Sequence, residues 1–145
     1  MSAKNFFTTE QQLEIRKAIV RAELNTSGEI RVHIDDKCPE DVLDRAANTF
    51  QRLKMDRTEL RNGVLFYLAV SDKKFAILGD KGINEKVPAD FWDSIKAVLQ
   101  ENFKQERFTE GLCLGIDMAG EKLKTHFPVQ ANDTNELNND VSFGN

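Results

Sequence analysis

Apolar positions along this chain repeat with two periods, and the places where one period gives way to the other mark its elements. Ile15, Ala18, Ile19 and Ala22 fall at i, i+3, i+4 and i+7, the spacing of one helical face. Thr8 with Gln11, or Thr9 with Gln12, has capping-box spacing just ahead of that face, so the first helix begins at one of these threonines. Asn25-Thr26-Ser27-Gly28 breaks the pattern. Over residues 29–34 the period drops to two. Ile30, Val32 and Ile34 alternate there with Glu29, Arg31 and His33, which predicts a strand. Pro39 suits a first helical position, and a second helix is expected from there to about Lys54, with Leu43, Ala46, Phe50 and Leu53 inward.

The next segment obeys neither period. Val64-Leu65-Phe66-Tyr67-Leu68-Ala69-Val70 is apolar throughout, the pattern of a strand covered on both faces. Ser71-Asp72-Lys73-Lys74 reads as a turn, residues 75–78 as the returning strand, and Gly79-Asp80-Lys81-Gly82 as its end. A third helix is predicted from near Pro88, burying Phe91, Ile95, Val98 and Leu99 with Trp92 beside them. A fourth is predicted over about 109–125, with Leu112, Ile116, Ala119 and Leu123 inward. Gly111, Gly115 and Gly120 weaken that last helix intrinsically, and close approach to the sheet is their expected reason. Residues 129–145 are rich in Asn and Asp and poor in apolar residues, and are expected to form a flexible, acidic tail outside a domain of residues 1–128. Asp133-Thr134-Asn135-Glu136 resembles the start of an EF-hand loop, but Asn138 stands where that loop requires glycine, so this reading is rejected.

The order helix, strand, helix, strand, strand, helix, helix places a parallel pair with a right-handed crossover beside an antiparallel third strand. The fold class is α/β: a three-layer α/β/α sandwich, with a small mixed sheet flanked by about four helices.

Composition narrows the function classes. With 145 residues, 40% hydrophobic and 30% charged, the chain can bury one core without staples. A net charge of -4 argues against non-specific binding to nucleic acid or an anionic membrane, and leaves cation binding open. The first residues lack an export-type apolar run, and no stretch reaches the roughly 20 apolar residues of a membrane span. A soluble, cytoplasmic protein is the expectation. Cys38 and Cys113 follow no metal spacing; Cys113 is expected in the core and Cys38 partly exposed. His33 is read as a satisfied structural histidine, and His126 as a helix-end residue suited to the dipole. Motifs of serine hydrolases, zinc proteases, thiol redox enzymes and phosphate loops are absent.

The predicted topology gathers polar residues at two ends of the sheet. One end collects Asp35, Asp36, Cys38, Ser71 and Asp72, and the general rule for parallel strands favours it. The other collects Gly28-Glu29, Arg61-Asn62-Gly63 and Gly79-Asp80-Lys81-Gly82, with Asn84 and Glu85 beyond. Carboxylates with amide and backbone carbonyls suit Ca²⁺ or Mg²⁺ there, and Lys81 or Arg61 could hold a phosphate oxygen. Residue chemistry alone leaves both ends open, as turns or as a site.

Four blocks carry a resemblance that bears on the choice. Ser27-Gly28-Glu29-Ile30-Arg31-Val32, Arg61-Asn62-Gly63-Val64-Leu65, Ala76-Ile77-Leu78-Gly79-Asp80-Lys81-Gly82-Ile83 and Phe108-Thr109-Glu110-Gly111-Leu112 resemble, in order and spacing, the signature blocks of the TPM domain, over roughly residues 8–128. The resemblance implies the same α/β/α sandwich, a divalent cation, and the acid phosphatase activity of some plant members. It places the metal on Asp80 and Glu29, assisted by Asn62 and Glu85, with Asp80 and Lys81 as catalytic residues and a phosphate ester as substrate. Two departures stand out: Arg61-Asn62-Gly63 where the family often has Asp-Asn-Gly, and Gly79-Asp80-Lys81-Gly82 where it often has Gly-Tyr-Gly. A non-catalytic adaptor for a partner protein is the alternative function.

Overall fold

The computed structural model describes residues 3–129 and 136–145. The EF-hand-like stretch rejected above has Asp133, Thr134 and Asn135 outside the described residues. The elements run α1 (Ala3–Phe6), α2 (Thr9–Glu23), β1 (Glu29–Asp35), α3 (Val42–Arg52), a 3-10 turn (Met55–Arg57), β2 (Gly63–Ala69), β3 (Lys74–Gly79), α4 (Lys81–Asn84), α5 (Asp93–Lys104), α6 (Phe108–Leu123) and β4 (Ser142–Phe143). The sheet order is β3-β2-β1-β4. β1 pairs parallel with β2, β2 antiparallel with β3, and β4 parallel with β1, so the sheet is mixed as expected. Among the described residues, no helix is long and apolar enough to cross a membrane.

Of the two capping boxes, Thr8 with Gln11 forms. The Thr8 hydroxyl accepts the Gln11 N–H at 3.0 Å, and the Gln11 side chain accepts the Thr8 N–H at 2.9 Å. Such a cap is worth about 1 kcal/mol. The β2 run is buried along its whole length, and its two faces enter two separate cores. Val64, Phe66 and Leu68 join Ile30, Val32 and Ile34 beneath α2, α5 and α6. Leu65, Tyr67 and Ala69 face Ala46 and Phe50 of α3, Met55 and Leu137. Each large side chain taken from water here contributes roughly 1.5–3 kcal/mol, which is why β2 anchors the sandwich.

Several expectations change. Helix α3 starts at Val42 rather than near Pro39, because the Asp41 carboxylate accepts the Leu43 and Asp44 N–H groups. That phase turns Thr49 inward and leaves Leu43 exposed. Helix α5 likewise starts later, at Asp93, and the short helices α1 and α4 were not foreseen. The glycines of α6 admit neighbouring helices more than the sheet: a Cβ at Gly120 would lie 2.8 Å from the Ala22 Cα, and one at Gly111 would lie 2.8 Å from the Asn102 Cβ. Cys38 is fully buried, not partly exposed, with its thiol on the Glu40 carbonyl. Cys113 is half-buried, and burial raises its thiol to about 11.

The largest correction concerns the C-terminus. Residues 136–145 were expected within a flexible tail, yet they return to the sheet. Ser142 and Phe143 pair with His33 and Ile34, Leu137 enters the second core, and Arg16 meets Asp140 at 3.0 Å. Backbone pairing to an open strand edge requires little apolar composition, so the sparse apolar content of this segment hid it.

Candidate functional site

The sheet end where β3 leaves for α4 opens into a cleft of about 700 Å³. Ala47, Asn48, Phe50 and Gln51 of α3 line one side, and Arg61, Asp80, Lys81, Asn84 and Glu85 line the other, with Asp56 between them. The local chain path explains how Asp80 reaches it. The Asp80 N–H extends the sheet by donating to the Gly63 carbonyl at 2.9 Å, and the Asp80 carboxylate caps α4 by accepting the Lys81 N–H at 2.7 Å. The Gly82 N–H donates to the Arg61 carbonyl at 2.9 Å. A Cβ at Gly82 would stand 2.3 Å from the Leu60 carbonyl oxygen, so only glycine permits this contact.

Arg61 and Asp80 form the centre of the cleft. The Arg61 Nε donates to one Asp80 oxygen at 2.8 Å and Nη2 to the other at 3.0 Å, a bidentate fork. The carboxylate is nearly buried and the arginine side chain is 45% exposed. The Asp80 hydrogen bonds hold the Arg61 guanidinium above its ordinary range. Lys81, in the same cleft, stands 4.0 Å from Glu85 in an exposed i,i+4 pair.

Two of the expected ligands lie elsewhere. Glu29 begins β1 under the C-terminal segment, where its carboxylate accepts the Glu136 and Leu137 N–H groups. Burial pushes its carboxyl up to about 7, against the lowering effect of those two N–H groups. Asn62 is buried, and its amide nitrogen donates to the Ser27 carbonyl at 2.9 Å. Neither lines the cleft. Asp80, Lys81 and Glu85 do come together, joined by residues that sequence reasoning passed over: Asp56, and the flank of α3 bearing Asn48 and Gln51. The i, i+3 spacing of those two amides beside Phe50 was the available signal.

A Ca²⁺ or Mg²⁺ ion needs several oxygen ligands converging on one point. Among the described residues, no three His, Cys, Asp or Glu side chains converge closely enough to hold one. Both Asp80 oxygens are already engaged by Arg61. The residues as arranged do not fit a ready-made divalent site.

At the other end of the sheet every candidate is consumed internally. Asp35 accepts from the Tyr67 hydroxyl at 2.6 Å, lies 3.0 Å from the His33 Nε2 and 3.5 Å from Arg45, and those partners hold its carboxyl below the ordinary range despite burial. His33 bonds Ser142 through Nδ1 at 2.9 Å, a satisfied structural histidine as expected. Asp36 bonds Ser71, and Asp72 accepts the Cys38 N–H.

A profile of the TPM domain matches residues 1–122. The chain belongs to the TPM domain family. The NMR structure of the BA42 protein from the psychrophilic bacterium Bizionia argentinensis is similar at 51% identity, covering 96% of each chain, with a TM-score of 0.91. The N-terminal domain of the cg2496 protein from Corynebacterium glutamicum shares the fold at 14% identity, covering 79% of this chain and 72% of that one, with a TM-score of 0.64. No curated protein matches the chain. In this TPM domain the matched span ends within α6, so the C-terminal segment that covers Glu29 lies beyond it.

Proposed function

We propose that the cleft between α3 and the β3–α4 corner binds the phosphoryl group of a phosphate monoester, and that hydrolysis of that ester is the reaction it supports. One observation carries this reading: a guanidinium clamped by a nearly buried carboxylate faces an open cleft, with Lys81 beside it. A fixed fork of N–H donors matches the oxygens of a phosphoryl group, and fixed donors stabilise the charge that develops there.

Among the described residues the lining contains no serine, threonine, cysteine or histidine, and the proposed nucleophile is water. Asp56 and Glu85 are the cleft carboxylates outside the Arg61 pair. Either can take the water proton as the water oxygen attacks phosphorus and the ester P–O bond breaks. Asp80 orients Arg61 through the two-point hydrogen bond.

Turnover of phenyl phosphate by wild type and by Asp80→Asn tests this, each with Ca²⁺, with Mg²⁺ and with a chelator. Asp80→Asn removes one of the two acceptor oxygens that fix the Arg61 donors, and loss of that fixed orientation lowers turnover by roughly 10²-fold or more. An Asp80→Asn protein that retains full turnover would sink the reading. A second reading, a surface for a partner protein, is favoured by Leu13, Val20 and Leu24, which stand 48%, 42% and 74% exposed along one side of α2.

A further inference from the structure

We infer that Arg61 is a built-in counter-cation for Asp80 and the anchor for an oxyanion, so that the cleft takes a phosphate monoester without a divalent metal. This rests on the phosphoryl reading of the cleft and specifies its charge balance.

The geometry of the arginine is the first argument. A guanidinium has five N–H groups. Asp80 takes one from Nε and one from Nη2, and both lie on one edge of the plane. The other three N–H groups, two on Nη1 and one on Nη2, have no protein acceptor among the described residues and belong to a side chain lining the cleft. An arginine held on one edge by a carboxylate presents its other edge in a fixed direction, at a small cost in rotamer entropy when an anion arrives.

The backbone supplies the second argument. Arg61 has a φ of 50°, a left-handed conformation uncommon for a side-chain-bearing residue. It is held there from both sides, its N–H donating to the Thr58 carbonyl at 3.2 Å and its carbonyl accepting from Gly82 at 2.9 Å. Arg61 is therefore fixed at the backbone and at the guanidinium alike.

Charge accounting is the third. A nearly buried carboxylate needs a cation beside it or a proton on it, and Arg61 supplies that cation covalently, 2.8 Å from Asp80. The side chain that removes a place for a divalent ion is the same one that offers N–H groups to phosphate.

The experiment is a titration with phenyl phosphate, followed by amide chemical shifts, in chelator and again with Mg²⁺ or Ca²⁺. The expected result is the same Kd in all three, with shifts at Arg61 and over residues 79–85. Arg61→Gly, which suits the left-handed backbone, weakens binding at least ~10-fold in chelator, the scale of a lost charged hydrogen bond. Should that variant lose its dispersed spectrum, Arg61→Lys carries the test, keeping the charge, losing the fork and binding measurably more weakly. Binding that requires a metal overturns the inference and leaves the cleft reading standing. Binding in no condition overturns both. Wild-type affinity in the folded Arg61 variant overturns the inference alone.

Discussion

Asp35 and Asp80 close opposite ends of one sheet, each against an arginine, and the two pairs differ in what surrounds them. Asp35 is 1% exposed, enclosed by His33, Tyr67 and Arg45, and sealed by the returning C-terminal strand. Asp80 is 6% exposed, but its arginine is nearly half in water and borders an open cleft. In the first pair both carboxylate oxygens are taken up by His33, Tyr67 and Arg45 inside the fold. In the second, half of the guanidinium is left for something else. The same residue types serve structure or recognition according to whether the last donors are already taken.

The comparison breaks most visibly at Asp35. Asp35→Ala strands His33 and Arg45 beside a buried void, and is expected to cost about 3–5 kcal/mol in urea unfolding, while the folded fraction keeps its phenyl phosphate affinity. Affinity falling in step with stability would mean that the two ends are not independent. A smaller effect comes from the cover over Glu29. Leu137→Ala removes a side chain from the second core and is expected to cost about 2 kcal/mol, with faster hydrogen exchange at the Glu136 and Leu137 amides than at those of β2.

The smallest effect concerns pH. The Glu29 carboxyl is raised by burial from 4.5 to about 7, so the folded state favours its protonated form. Its contribution to stability is fully present below about 4.5 and is lost as pH rises through about 7. Glu29→Gln keeps an oxygen for the two N–H groups and cannot ionise. Its stability, measured by denaturant unfolding across that window, is expected to fall less with rising pH than that of wild type. Glu23, also raised to about 7 by burial, leaves a residual slope in both proteins.

Where local chemistry decided the outcome, the sequence was readable. The Thr8 capping box, the alternation in β1 and the uninterrupted apolar run of β2 each specify their element through neighbours a few residues away. The family blocks led to the end of the sheet where the cleft opens. What failed were features set by distant partners. Glu29 was placed among metal ligands because it shares that end with Asp80, but its carboxylate binds backbone 107 and 108 residues later in the chain. Helix α4 is only four residues long, too short to show a period. Arg61 was seen as a phosphate contact, and its bidentate hold on Asp80, the geometry that orients it, was not legible until β3 and the Arg61 loop lay side by side.

The placement of β4 has a consequence for the order of assembly. Strands β2 and β3 are joined by a short turn and can zip together as soon as it closes. His33 and Ser142 are separated by 109 residues, a far larger loop to close. On loop-closure cost, the β2–β3 hairpin is expected to form before β4 docks onto the free edge of β1. The two-residue ladder of β4 is also the first to open under thermal fluctuation, so breathing of the native state begins at the strand that completes it.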